Sequence, residues 1–125
     1  MFFFNQKRIM QKFILLGLIS LFFAACMNHE ADLTAYDCTN QNPSYSVDIQ
    51  PIMAAHCSNC HGGANPSDDL DLSTYANVKE HAQHKRFWGA IEHSSKYEAM
   101  PKGAAKLTDS LILKIACWAK NGSPQ

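Results

Sequence analysis

The sequence has few of the features that usually assign a function. It has no internal repeat, no heptad pattern and no glycine-rich loop of the kind that holds phosphate groups. No run of alternating Val, Ile and Thr predicts a strand. The chain has a single Cys-x-x-Cys pair, whereas a structural zinc site more usually has two. Neither a catalytic triad nor a pair of carboxylates can be argued from the residues. We therefore do not expect an enzyme of a common class.

The N-terminus has the composition of a secretory signal. Residues 1–12 include Lys7, Arg8 and Lys12 and no acidic residue, and residues 13–25 carry no charge. Thirteen helical residues rise only about 20 Å, which is shorter than a hydrocarbon core about 30 Å thick. The pattern therefore predicts a signal peptide over residues 1–25 and export of the remaining chain.

The end of this signal resembles the lipobox of bacterial lipoproteins. Phe23, Ala24 and Ala25 precede Cys26, and in a lipobox such a cysteine is lipidated and becomes the new N-terminus. The resemblance implies a lipid anchor at Cys26, a flexible linker over residues 26–43 and an extracytoplasmic, membrane-anchored location. Ordinary signal cleavage is the alternative, although it favours a small residue in the place of Phe23.

Charge excludes one class of partner. The full chain has 11 basic and 11 acidic residues, and removal of the signal takes away three of the basic ones, which leaves a formal charge of −3. An acidic domain has no electrostatic footprint for nucleic acid. We therefore do not expect nucleic acid as a partner.

The five cysteines divide into three groups. If Cys26 takes lipid and the closely spaced Cys57 and Cys60 act together, Cys38 and Cys117 remain. In an exported protein such a pair is most simply a disulfide, although two unpaired thiols stay an alternative because sequence fixes no geometry.

Residues 57–61 form the motif with the most specific chemistry. Cys57, Cys60 and His61 have the Cys-x-x-Cys-His spacing by which haem c is attached. The two intervening residues make a short turn that presents both sulfurs to the two vinyl groups, and the next residue offers an imidazole to the iron. A redox dithiol and a zinc site are the alternatives, but the first needs a βαβ context and His81 and His84 do not complete the second.

A haem iron at this motif would have a second axial position to fill. Met100 precedes Pro101 and Gly103, so it is expected in a loop that can turn one thioether inward. His81, His84 and His93 are rival ligands, and an open sixth position is the third possibility.

Periodicity predicts a small all-α domain. We expect helices over residues 46–56 with Asp48 as N-cap, 75–82, 86–93 and 109–120, with Thr108 capping the last one. Leu111, Ile115 and Trp118 form an apolar stripe for packing against the first helix.

From about Ser44 to Gln125 the chain resembles small monohaem class I cytochromes c of bacteria. The resemblance is carried by five stretches: Val47–Ile52, Cys57–His61, Leu70–Ser73, Met100–Gly103 with Lys106–Thr108, and the Trp118 helix ending at Asn121–Pro124. It implies a cytochrome c domain over residues 44–125, with three to five short helices around one covalent haem. It also implies thioethers at Cys57 and Cys60, axial ligation by His61 and Met100, and a hydrogen bond from His61 to the Pro66 carbonyl.

The function implied is that of a single-electron carrier, with redox donor and acceptor proteins as partners. Lys102 and Lys106 beside Met100 are candidates to steer an acidic partner. The alternatives are a haem domain with an open or labile sixth site, acting as a peroxidase-like enzyme or a gas or redox sensor, and a metal or dithiol protein without haem.

Overall fold

The computed structural model describes residues 30–125, which form four α-helices joined by turns and loops. The helices are α1 (Gln50–His56), α2 (Tyr75–His81), α3 (Lys85–Ile91) and α4 (Asp109–Lys120). A π-helical turn, Tyr45–Ile49, leads into α1, and a 3₁₀ turn, Ser67–Asp69, lies between α1 and α2. Among the described residues there is no strand, only an isolated bridge between Glu30 and His84. The prediction of an all-α fold class is confirmed for the described residues. The predicted signal peptide and Cys26 lie outside the described residues.

Helical winding begins before the predicted first helix. Ser44, not Asp48, is the residue that precedes the π turn, and the Asp48 carboxylate accepts a hydrogen bond of 3.0 Å from the Ser44 N–H. The expected N-cap role of Asp48 is therefore wrong, because its side chain reaches back from within the turn. Pro51 lies in the first turn of α1, whose N–H groups have no acceptor within that helix.

The last helix agrees with the sequence in both of its ends. The Thr108 side chain accepts a hydrogen bond from the Leu111 N–H, and the chain leaves the helix through Gly122 with φ +88°. Ile115 and Trp118 of the predicted stripe are fully buried and Leu111 is half-buried. This stripe packs α4 against the π turn, which supplies the buried Tyr45 and Ile49 to the core.

Helices α2 and α3 also lie where the sequence predicts them. The Thr74 side chain accepts from the Asn77 N–H and so caps α2. In α3, Phe87, Trp88 and Ile91 are buried, and the Trp88 indole N–H donates to the Ala82 carbonyl at 2.8 Å. The two helices thus form a corner closed by this buried hydrogen bond.

The N-terminal strap, which we define as residues 30–43, differs from the flexible linker expected over 26–43. The Ala31 N–H donates to the Gln83 carbonyl at 2.8 Å, and Leu33 and Tyr36 pack against the core. The structure joins Cys38 to Cys117 of α4 by a disulfide with a Cα–Cα distance of 5.3 Å. Apolar contacts and a covalent link therefore hold this stretch on the domain.

Further polar contacts fasten the strap to α3 and α4. The Tyr36 hydroxyl donates to Glu92, and Lys120 donates to the Tyr36 carbonyl at 2.8 Å. Farther along, the Asn121 amide donates to the Gln41 carbonyl at 2.9 Å. None of the helices within residues 30–125 is long and apolar enough to cross a membrane.

Candidate functional site

The Cys-x-x-Cys-His motif begins at the end of α1 and forms a tight turn. The Cys57 N–H continues the helix by donating to the Met53 carbonyl at 2.9 Å. The Cys57 carbonyl then accepts from the N–H groups of both Cys60 and His61, at 3.1 and 2.9 Å. Three chemically useful side chains are thereby held within one turn.

Gly62 allows the chain to fold closely after this turn. A Cβ atom at Gly62 would lie 2.7 Å from the Ser58 carbonyl oxygen, which is closer than real Cβ contacts. A side chain there would push residues 61–62 away from residue 58. The glycine next to His61 therefore helps to set the position of the imidazole.

The two motif thiols are unpaired and differ in exposure. Neither Cys57 nor Cys60 is in a disulfide; Cys57 is half-buried and Cys60 is exposed. Burial raises the pKa of the Cys57 thiol from its ordinary value of 9.0 to about 11. A reactive dithiol needs a thiolate, which helix N-termini favour, whereas Cys57 follows the C-terminal end of a helix. This environment disfavours the dithiol alternative.

His61 is held in the tautomer that a metal ligand requires. The side chain is buried, with 8% of its surface exposed, and Nδ1 lies 3.1 Å from the Ser67 carbonyl oxygen. A carbonyl oxygen only accepts, so in the neutral ring Nδ1 must carry the proton and Nε2 keeps its lone pair. A fixed Nδ1–H of this kind orients a ligating imidazole and raises its basicity.

The partner of His61 differs from the predicted Pro66. The Pro66 carbonyl accepts from the Asp69 N–H at 3.2 Å, as part of the 3₁₀ turn. That turn presents the next carbonyl, of Ser67, toward His61, and the Ser67 N–H is itself bound to the Cys60 carbonyl at 2.9 Å. The prediction failed by one residue because sequence does not reveal which carbonyl a tight turn directs inward.

Met100 lies in a segment fixed to α3. The side chain is half-buried, and the Met100 N–H donates to the Ala90 carbonyl at 2.9 Å. The Met100 carbonyl lies 3.0 Å from Nε2 of His93, which therefore carries a proton there. His93 thus contacts the backbone of Met100, and this nitrogen is not free to bind a metal.

An open cavity of about 410 Å³ lies beside these residues. Its walls come from the end of α1, the segment after Met100 and the start of α4: Ala55, His56, Pro101, Ala104, Ala105, Lys106, Leu107, Thr108 and Leu111. Residues directly before Cys57 and directly after Met100 therefore border the same space. The volume is in the range of small-molecule and cofactor sites, and alanines and leucines supply much of the wall.

The other predicted residues lie in different settings. The rings of His81 and His84 pair with each other, with centroids 6.2 Å apart, where the strap meets the corner of α2 and α3. Lys102 pairs with Glu98 at 2.7 Å and Lys106 with Asp109 at 2.9 Å. Within residues 30–125 no group of three or more His, Cys, Asp and Glu side chains is arranged to hold a metal ion.

Sequence reasoning missed several residues of this site. The Ser67 carbonyl carries no signal in the sequence, whereas Gly62 could have been singled out because it follows His61 directly. The sequence predicts Leu111 only as a core residue of the apolar stripe, yet it also lines the cavity. Comparison with known proteins gives no guide here, since no family model, curated protein or solved structure matches the chain.

Proposed function

We propose that this protein is a single-electron carrier with one covalently attached haem c. The observation that carries the proposal is the buried His61, whose Nδ1 is occupied by the Ser67 carbonyl while Nε2 remains available. A histidine prepared in this way, directly after two unpaired thiols, has the donor set of a c-type haem site.

The residues around His61 fit covalent attachment. Cys57 and Cys60 would form the two thioethers, and the turn that binds both following N–H groups to the Cys57 carbonyl holds them at fixed spacing. The raised pKa of Cys57 keeps its thiol protonated and out of unwanted disulfides until attachment. The neighbouring open cavity, walled largely by apolar side chains, would offer a partly apolar surface beside the site.

Met100 is proposed as the second axial ligand. When bound, haem supplies one-electron exchange at its iron, and a thioether opposite a histidine raises the potential. The Met100 N–H donates to the Ala90 carbonyl and the His93 imidazole donates to the Met100 carbonyl, so the Met100 backbone is held on both sides. A ligand fixed in this way changes little in position between oxidation states, which favours rapid electron exchange.

Electron transfer also requires partners and a location. We propose lipidation at Cys26, anchoring on the extracytoplasmic side of a membrane, and redox donor and acceptor proteins as partners. Lys102 and Lys106 are already paired with acidic side chains, so an acidic partner would have to compete with Glu98 and Asp109. Their contribution to steering is therefore expected to be small.

The test is a visible and near-infrared spectrum of protein produced with the haem-c attachment machinery. Wild type should show a c-type α band on reduction and the weak ferric band of an iron–methionine bond. Met100→Leu, which keeps the volume and removes the sulfur, should lose the second band and keep the first. Met53→Leu is the matched control, because Met53 is buried in the core before the motif and its loss should leave both bands unchanged.

Two outcomes would count against the proposal. If wild type has the α band but no iron–methionine band, Met100 is not the ligand. Rapid binding of carbon monoxide to the reduced protein would then indicate the open-site enzyme or sensor. If no haem is attached at all, the assignment of Cys57, Cys60 and His61 is wrong.

A further inference from the structure

The strap decides how far the domain can move from its anchor. Residues 26–43 were expected to act as one long tether, which when fully extended would reach about 60 Å. The structure instead fixes the chain from Glu30 onward, through the bridge to His84, the hydrogen bond to Gln83 and the disulfide at Cys38. Only residues 27–29 separate Cys26 from this fixed point, and that stretch spans at most about 14 Å.

We propose that the corner between α2 and α3, around Gln83 and His84, faces the lipid headgroups. This inference rests on the proposed lipidation of Cys26. A domain of this size has a radius of gyration of about 13 Å, so a tether of about 14 Å is too short to reach round it. The side where the strap begins must therefore stay next to the membrane.

The cavity is built from a different part of the molecule. Its lining comes from α1, residues 101–108 and the first turn of α4, whereas the strap crosses the other end of α4 at Cys117, Lys120 and Asn121. No lining residue belongs to the strap or to the corner between α2 and α3. This arrangement leaves the cavity side open to a protein partner while the corner is held at the lipid.

The orientation of the domain at the membrane should depend on the length of the tether and not on surface charge. The exposed Lys85 and Arg86 at the corner are accompanied by the exposed acidic Glu30 and Asp32 of the strap. Such a balanced surface gains little from anionic lipid. Contact with the membrane should therefore persist in about 0.5 M salt, where the Debye length is only a few ångströms.

Lysine footprinting of the whole lipidated protein tests the orientation. Acetylation rates would be compared by mass spectrometry between phosphatidylethanolamine–phosphatidylglycerol vesicles and detergent. Lys85, next to His84, should react about threefold more slowly on vesicles, because the headgroup layer limits access of the reagent. Lys106, which lines the cavity, should react at the same rate in both. Equal rates at Lys85, or slowing at Lys106 instead, would overturn the proposal.

An insertion provides the matched control. About fifteen Gly and Ser residues placed between Met27 and Asn28 lengthen the tether by about 20 Å and alter no contact of residues 30–125. This variant should stay on the vesicles and lose the slowing at Lys85. Persistent slowing would show that the tether does not set the orientation.

The haem spectrum and vesicle flotation separate this inference from the proposed function. A protein that has both haem bands and floats with vesicles, but lacks slowing at Lys85, overturns the orientation alone. A protein with both bands that does not float overturns the anchor and the orientation together, and leaves electron transfer standing.

Discussion

At the scale of single residues, the Cys-x-x-Cys-His motif combines side chains whose surroundings differ. Cys60 is exposed, Cys57 is half-buried and His61 is buried with one ring nitrogen occupied. The Cys57 environment lowers thiolate formation, and the His61 environment fixes a tautomer. Both effects suit a site that is completed by covalent attachment rather than by reversible thiol chemistry.

The Cys57 environment makes a prediction about pH. In protein prepared without haem, the thiol pKa is about 11, so the thiolate fraction should rise about tenfold for each pH unit from 8 to 10. Alkylation of the Cys57 peptide by iodoacetamide, followed by mass spectrometry, should show this slope. In urea the rate should level off near the ordinary pKa of 9.0. A folded-state rate that levels off below pH 9 would contradict the burial argument.

The same shift has a consequence for stability. The unfolded chain releases the Cys57 proton as the pH rises through 9.0, whereas the folded chain holds it to about 11. The contribution of this thiol to folding is therefore complete below pH 9 and declines as the pH rises toward 11. The proposed haem attachment would replace the thiol by a thioether and remove this dependence.

At the scale of elements, α3 acts as the support of the proposed ligand. The Ala90 carbonyl accepts from the Met100 N–H, and the chain between them turns back over the helix at Tyr97. Gly89 makes room for this return, because a Cβ atom there would lie 2.9 Å from Cγ of Tyr97 and closer still to the ring edge. The close contact between α3 and the loop at Tyr97 therefore depends on the absence of a side chain at Gly89.

A pair of substitutions tests this packing. Gly89→Ala should stabilise α3 by about 1 kcal/mol through the higher helix propensity of alanine. The clash with Tyr97 should cost about 1–3 kcal/mol, so the protein should be less stable than wild type. It should also weaken the iron–methionine band. Adding Tyr97→Ala to Gly89→Ala should restore the band, which urea unfolding and the near-infrared spectrum would measure together. If Gly89→Ala alone is as stable as wild type, the Tyr97 ring moves aside freely.

At the scale of the whole molecule, the strap closes the fold. The disulfide between Cys38 and Cys117 spans a sequence separation of 79 residues and joins the start of the described chain to its last helix. A domain of about 100 residues with short helices has a limited core, so a covalent link adds a substantial fraction of its stability. The strap also covers part of the apolar surface around Trp88, because the Tyr36 ring packs on the Trp88 ring with their centroids 5.9 Å apart.

Removal of the disulfide should therefore destabilise the protein strongly. The double variant Cys38→Ser, Cys117→Ser should lose up to about 4 kcal/mol of unfolding free energy, since the unfolded chain is no longer constrained by a long loop. Urea unfolding with and without dithiothreitol provides the measurement and its control, with ascorbate in every sample to keep the proposed haem iron reduced. Dithiothreitol should then destabilise wild type and leave the double variant unchanged. An effect of dithiothreitol on the double variant would point to a different disulfide.

Local signals in the sequence determined the ends of α2 and α4 and the grouping of the motif residues, from which we propose haem chemistry. Thr74 and Thr108 begin α2 and α4, and Gly122 follows the last helix, because capping depends on residues only a few positions apart. The grouping of Cys57, Cys60 and His61 is equally local. Their spacing could be read directly from the chain.

Tertiary structure alone decided which groups support that chemistry. The Ser67 carbonyl bound to His61 and the contact of His93 with Met100 arise from the folding of loops onto helices. Sequence narrowed Cys38 and Cys117 to a pair, but their bond and the packing of the strap depend on segments far apart in the chain. Such contacts follow from the packing of the whole domain, for which no short stretch of sequence contains a signal.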